Sequence, residues 1–207
     1  MKKLFLTACL AACVTAGAAS ASTVYLGTSD STITPGSSKG SFDNGEGLSG
    51  TILGTYNNDT DYGSDYDSCY SSSSPGLTKT SNGIGYCSNK DDNSELDGLD
   101  NDETITFTFD VLTTLLGIHF YGIGSNDDWD ISFDGGTWYT SGAASASFFG
   151  GNGIDVKFFS IRANGSDDEY RIKSFSGVAV VPLPATALLL LGGIAGLGAI
   201  ARQRKAA

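Results

Sequence analysis

Residues 104–109 have the sequence Thr-Ile-Thr-Phe-Thr-Phe, in which every second residue is large and apolar. Successive side chains of a β-strand point to opposite faces of a sheet, so Ile105, Phe107 and Phe109 share one face. The three threonines then share the other face, which suits contact with water. This period of two predicts an antiparallel strand with one buried side, so the chain is expected to form a β-sheet.

The same alternation recurs further along the chain. Two more stripes consist of Leu116, Ile118 and Phe120, and of Trp129, Ile131 and Phe133. The third stripe ends at Asp134-Gly135-Gly136, and Trp138 and Tyr139 follow, which predicts a hairpin. Residues 154–163 and 170–181 predict two further strands joined by a polar turn. Short strands separated by Gly, Asn and Asp turns predict an all-β fold, an antiparallel β-sandwich of the jelly-roll kind.

The preceding part of the chain, residues 22–103, is dominated by Ser, Gly, Thr, Asp and Asn. It offers brief strands around residues 24–26 and 52–56, and we expect the rest to form long loops. The sequence thus predicts one folded domain over residues 22–180. Its first part, 22–103, is expected to be rich in loops, and its second part, 104–180, rich in strands.

The first 21 residues have the three parts of a secretory signal peptide. Lys2 and Lys3 precede a short apolar run, and Ala19-Ser20-Ala21 forms a small-residue cleavage site. Cleavage after Ala21 would make Ser22 the first residue of the mature chain. The segment ending at Cys13 also fits a lipoprotein signal, so lipidation of Cys13 is the alternative.

The chain near its other end predicts a single transmembrane helix. Residues 185–201 contain no charged side chain, and seventeen helical residues span about 25 Å, the short end of what crosses a bilayer core. Arg202, Arg204 and Lys205 follow at once and should stay cytoplasmic. A cleaved leader and this helix would leave residues 22–180 outside the inner membrane.

Two prolines hold the residues just before this helix extended. The segment consists of Val181, Pro182, Leu183, Pro184 and Ala185. Together with the apolar stretch and the basic residues 202–205, it resembles the VPLPA variant of the PEP-CTERM sorting signal of Gram-negative bacteria. The resemblance implies recognition by an exosortase, a link to exopolysaccharide and biofilm matrix, and only transient residence in the inner membrane. Residues 95–180 also resemble exosortase-dependent surface ectodomains, which implies a sandwich without an assigned activity.

The charge of the chain excludes one class of partner. There are 23 acidic and 12 basic residues, a net charge of −11. Nucleic-acid binding requires Lys and Arg to displace counterions, so we expect no nucleic acid as a partner. Residues 22–180 contain all 23 carboxylates and seven basic residues, which gives this stretch a net charge of −16.

Acidic clusters on loops are candidate calcium ligands, because Ca²⁺ prefers several oxygens supplied by flexible loops. The candidate ligands are Asp97, Asp102, Glu103, Asp127, Asp128 and Asp130. The pattern Asn93-x-Glu95-x-Asp97-Gly98 begins like an EF-hand loop, but its twelfth position is Thr104 rather than Glu, which excludes that motif. The alternative is a solvated acidic surface that keeps the protein soluble.

Cys69 and Cys87 are the cysteines left after removal of the leader. A pair of cysteines in an exported protein predicts a disulfide. It would close a loop of nineteen residues, which is worth about 3 kcal/mol in the chain-entropy model. Two independent thiols are the alternative.

Enzyme motifs are missing from the sequence: it contains no nucleophile elbow, phosphate-binding loop or zinc-protease signature. His119 lies in a predicted strand, opposite in phase to Ile118 and Phe120, where we expect an ordinary surface or inter-sheet histidine. We therefore expect a non-catalytic surface or matrix protein. The alternatives are a carbohydrate-binding module, with Trp129, Trp138, Tyr139 and Tyr121 as sugar contacts, and a polysaccharide hydrolase using two of the carboxylates.

Overall fold

The computed structural model describes residues 20–34, 36–56, 75–88, 95–97, 103–141, 147–163, 165, 168–180 and 192–194. Ser20–Val180 form one compact unit. Its described strands are β1 (Ser22–Tyr25), β2 (Ser31–Ile33), β3 (Lys39–Asp43), β4 (Ser49–Tyr56), β5 (Gly76–Thr80), β6 (Gly83–Cys87), β7 (Leu96–Asp97), β8 (Glu103–Tyr121), β9 (Asp130–Ser132), β10 (Tyr139–Thr140), β11 (Ser147–Arg162) and β12 (Glu169–Ala179).

Two long strands, β8 and β11, run through the whole sheet and pair with each other along most of their length. The first part of β8 also pairs with β4, which is followed by β3 and β2. The second part of β8 pairs with β12, which carries β1, β6 and β7, while β5 pairs with β6. All these pairs are antiparallel, which confirms the predicted all-β antiparallel class.

The sheet bends where β8 and β11 lose their register. Phe158 pairs with Thr108, but Val156 pairs with Thr113, so residues 109–112 of β8 lie opposite Lys157 alone. Extra residues of this kind bend a strand sharply and let it pass from one layer to another. The bend divides one continuous sheet into two halves that face each other.

The two halves also meet at their far edges. The backbone amide of Leu77 in β5 donates to the carbonyl of Ser37 at 2.9 Å, and Gly54 in β4 donates to Ser38 at 2.8 Å. The segment between β2 and β3 therefore joins the edge strand of one half to the other half. The result is a sheet that nearly closes on itself.

Five phenylalanine rings fill the space between the halves. The Phe175 ring of β12 lies 5.1–5.6 Å, between ring centroids, from the rings of Phe42, Phe107, Phe109 and Phe159. These four contacts are edge-to-face, whereas Phe107 and Phe159 stack at 4.7 Å. All five side chains are buried, so this cluster is the centre of the hydrophobic core.

Two of the predicted apolar stripes hold in the structure, and the stripe of residues 116, 118 and 120 holds in part, because Ile118 and Phe120 are buried. Ile105, Phe107 and Phe109 are buried, as are Trp129 and Ile131, and Phe133 packs against the core at its edge. In the second stripe Leu115 is buried and Leu116 is only half-buried. Gly177 and Ser176 of β12 pair with Leu115 and Gly117, which leaves Leu116 as an extra residue, and this bulge reverses the phase of the alternation.

The described part of residues 22–103 contains seven strands, where the sequence predicted two brief strands and long loops. One reason is that glycine occupies positions where the strands pack closely. A Cβ atom on Gly54 would lie 2.3 Å from the ring of Tyr86, so only glycine fits there. Because glycine adds nothing to an apolar stripe, counting apolar residues misses such strands.

The two ends of the chain lie mostly outside the described residues. This applies to residues 1–19 of the leader, to the sorting motif 181–185 and to Arg202, Arg204 and Lys205. Within the predicted membrane segment 185–201, Gly192–Ile194 form a short exposed helical piece. Among the residues that the structure describes, no helix is long and apolar enough to cross a membrane.

Candidate functional site

A charged and aromatic cluster lies where β9 pairs with both β10 and β11. Asp130 faces Arg162 on one side and Thr140 on the other in the strand register. Arg162 donates from Nε and Nη2 to Oδ2 of Asp130 at 2.9 and 2.8 Å, and the Thr140 hydroxyl donates to Oδ1. The Arg162 guanidinium also lies 4.3 Å from the ring centroid of Trp138. Arg162 is thereby fixed between a carboxylate and an indole ring.

An exposed tyrosine lies next to this cluster in the chain. Tyr139 is 57% exposed, and its ring centroid lies 6.1 Å from that of Phe133. Trp138, its neighbour in the chain, is half-buried. A half-buried indole, an exposed phenol ring and a fixed guanidinium offer the stacking surface and the donors that a sugar ring uses.

The structure separates the four aromatic residues predicted as sugar contacts. Trp138 belongs to the cluster just described, and Tyr139 follows it in the chain and lies against Phe133. Trp129 is buried and stacks on Phe120, with 5.2 Å between ring centroids, so it is a core residue. Tyr121 is exposed at the end of β8.

The predicted calcium ligands after β8 take part in hydrogen bonds within the protein. Asp127 accepts a hydrogen bond from the Gly124 amide at 2.6 Å. Asp128 donates its amide to Oδ1 of Asp168 at 2.8 Å, and Oδ2 of Asp168 accepts from Gly165 at 2.7 Å. Asp130 binds Arg162, as described above. The carboxylates of Asp127 and Asp130 therefore have partners within the protein, whereas Asp128 is bonded through its backbone amide.

Of the remaining predicted ligands, Asp97 ends β7 and Glu103 begins β8. Oε2 of the fully buried Glu103 accepts from the Asp97 amide at 3.1 Å, while Asp102 lies outside the described residues. The nearby Tyr86 hydroxyl has its pKa raised to about 12, first by burial and then by the charge of Glu103. In the described part of the chain, no group of three or more His, Cys, Asp or Glu side chains has the arrangement of a metal site.

Tyr170 lies near four acidic residues, which are Asp127, Asp128, Asp130 and Asp168. Its ring is fully buried, and its hydroxyl donates to the Arg162 carbonyl at 2.7 Å. Burial, and then the charges of Asp168 and Asp130, raise the pKa of this phenol well above its ordinary value. The hydroxyl therefore stays protonated and ties β12 to the end of β11.

A pair of carboxyl groups that the sequence did not indicate as a site lies where β7 pairs with β12. Glu95 accepts from Nε of Arg171 at 3.2 Å. Burial raises the pKa of Glu95 to about 7, and the neighbouring carboxyl of Glu169 acts in the same direction. Residues 95 and 169 meet only through the pairing of β7 with β12, so no local pattern could have predicted the pair.

The cysteine and cleavage-site predictions fall partly within the described residues. Cys87 ends β6, is fully buried and is disulfide-bonded, while Cys69 lies outside the described residues. Ala21 is exposed, and Ser22 begins β1, where its hydroxyl accepts from the Asn44 side chain at 3.0 Å. His119 is exposed on β8, and its Nδ1 lies 2.8 Å from the Ser147 hydroxyl.

No protein-family model matches the chain, and no curated protein is similar to it. The proposals below rest on the residues of this chain alone.

Proposed function

We propose that this protein is exported and serves, without catalysis, as a cell-surface or extracellular-matrix protein sorted through its VPLPA segment. The observation that carries the proposal is the order of three segments. A leader ending at Ala21 precedes the first strand of the compact unit, and Val181–Ala185 with its apolar and basic neighbours follows the unit. Each segment has the composition that its role in export requires.

Two features of the domain support export. The disulfide at the fully buried Cys87 suits an oxidising compartment, because cytosolic thiols are kept reduced. Ser22, the expected first residue of the mature chain, is also the first residue of β1. Cleavage after Ala21 would therefore leave every described strand intact.

The processing partner in this proposal is an exosortase-type enzyme. Residues 185–201 span the inner membrane as a helix until the chain is cut near 181–185, and the domain then passes to the surface or matrix. We propose that the two facing halves of the sheet correspond to the layers of a jelly-roll-like sandwich joined by β8 and β11.

Proline substitutions in the tail test the proposal in cells that carry an exosortase. Replacing Pro182 and Pro184 by alanine should abolish trimming and leave the untrimmed precursor in the membrane fraction. Pro75→Ala, which changes a proline outside the tail, is the matched control and should be trimmed normally. Normal trimming of the double variant would contradict the proposal.

A carbohydrate-binding role is the second candidate, and the cluster at Trp138, Tyr139 and Arg162 favours it. The probe is the exopolysaccharide of the same cells, immobilised and incubated with the protein. Tyr139→Ala should reduce retention, and Tyr25→Ala, which removes a phenol ring exposed to a similar degree on β1, should not. A chelator added to the same assay tests the loop-borne calcium, and turnover of labelled polymer tests the hydrolase alternative.

A further inference from the structure

Two exposed aliphatic side chains lie together at the bend of the sheet. The corner patch consists of Leu112 and Val180, which are 44% and 37% exposed. The Val180 amide donates to the Leu112 carbonyl at 2.8 Å. Because Thr113 pairs with Ala179, Leu112 and Val180 are cross-strand neighbours, and their side chains share one face.

The corner patch contrasts with the domain around it. Most of the large apolar side chains in the described part of the domain are buried, and residues 22–180 have a net charge of −16. Two neighbouring exposed aliphatic side chains on such a protein form a candidate contact surface. The Lys157 ammonium, which donates to the Asp110 carbonyl, supplies a cation at the same corner.

The position of the patch in the chain indicates which surface it meets. Four residues, 181–184, separate Val180 from the apolar segment that begins at Ala185. The five Cα–Cα steps from Val180 to Ala185 reach about 17 Å when fully extended. While residues 185–201 span the membrane, the corner patch must therefore lie within roughly that distance of the lipid surface.

We propose that the corner patch docks on the phospholipid surface of the membrane before the tail is cut. This inference rests on the proposed membrane-spanning tail. The aliphatic side chains enter the boundary between headgroups and acyl chains, and Lys157 faces the lipid phosphates. Because the tether holds the patch at a high local concentration, docking is possible despite the acidic charge of the domain. Docking would orient residues 181–185 towards a membrane-resident processing enzyme.

Depth-dependent fluorescence quenching tests the inference on the full chain. The protein is reconstituted in phosphatidylcholine vesicles with and without brominated acyl chains, and Leu112→Trp is compared with Tyr121→Trp. The two sites have similar exposure on the same strand, but Tyr121 lies nine residues away, about 30 Å along an extended chain. The emission of the wild-type chain, which has two tryptophans, is subtracted.

The inference predicts that brominated lipid quenches most of the emission added at residue 112 and leaves that at residue 121 unchanged. Val180→Trp should be quenched as well, which guards against a local defect in one variant. Flotation with the vesicles but no quenching at 112 or 180 would overturn the docking and leave the tail proposal standing. Failure of the wild-type chain to float would overturn the proposed span, and the docking with it.

Discussion

At the scale of single residues, the most informative group is the carboxyl of Glu95. Its pKa in the folded protein, about 7, lies above its ordinary value of 4.5, because burial and Glu169 disfavour its charge more than Arg171 favours it. The folded state therefore binds this proton more tightly than the unfolded chain does. The free energy of unfolding therefore falls as the pH rises from about 4.5 through about 7.

Glu95→Gln should remove this part of the pH dependence, because glutamine can still accept from Arg171 and carries no charge. Urea unfolding at pH 5 and pH 8 measures this pH dependence. Between the two pH values the variant should lose less unfolding free energy than the wild-type protein. Glu46→Gln, at an exposed turn position, is the control and should keep the wild-type difference. An unchanged difference in Glu95→Gln would show that this carboxyl does not hold a proton in the folded state.

The ion pair of Asp130 and Arg162 gives a second prediction at this scale. The Asp130 side chain is 2% exposed and that of Arg162 is 24% exposed. Asp130→Ala leaves the guanidinium without its carboxylate and should cost about 2–3 kcal/mol, less than for a fully buried pair. Asp155→Ala removes an exposed carboxylate that accepts from Thr114, and should cost less than about 1 kcal/mol. Equal losses of unfolding free energy would contradict this account of the cluster.

At the scale of elements, β12 holds the two halves of the sheet together through Phe175. That ring contacts Phe rings of β3, β8 and β11, so truncating it opens a cavity in the centre of the core. Phe175→Ala should lower the free energy of unfolding by about 3–5 kcal/mol. Tyr25→Ala on β1, where the side chain is 51% exposed, should cost far less. A small loss of unfolding free energy in Phe175→Ala would contradict the position of this ring at the centre of the core.

The elements also show how far sequence reasoning reaches. Where large apolar residues alternate, as in residues 104–109, the pattern fixes the strand and its buried face. Where glycine takes the close-packed position, as at Gly54, the strand exists but the pattern disappears. The bulge at Leu116 is set by the pairing of β8 with β12, so the phase of the second stripe could not be predicted from β8 alone.

In the candidate sites too, contacts within one turn could be predicted from the sequence, and contacts made by strand pairing could not. The hairpin at Asp134-Gly135-Gly136 was predictable, because the turn chemistry is local: Asp134 accepts from the amides of Gly136 and Thr137, which lowers its pKa. The partners of Glu95 and Asp130 were not predictable, since strand pairing alone brings Glu169 and Arg162 to them. Asp127 and Glu103, which the sequence offers as calcium ligands, accept hydrogen bonds from backbone amides.

At the scale of the whole molecule, the disulfide of Cys87 should contribute to the stability of the exported form. If Cys69 is the partner, Cys87→Ser and Cys69→Ser should each lower the free energy of unfolding by about 3 kcal/mol. The double variant should be no less stable than either single one, and reduced wild-type protein should match all three in urea unfolding. Wild-type stability of Cys69→Ser would contradict this pairing.

The central claim is that this chain is cargo for an export and trimming route, and intact-mass analysis of fractionated producer cells tests it most directly. We expect the surface or medium fraction to contain a disulfide-bonded form that begins at Ser22 and ends near residues 181–185. A soluble cytosolic product that retains all 207 residues, with reduced thiols and no trimmed form elsewhere, would contradict the claim.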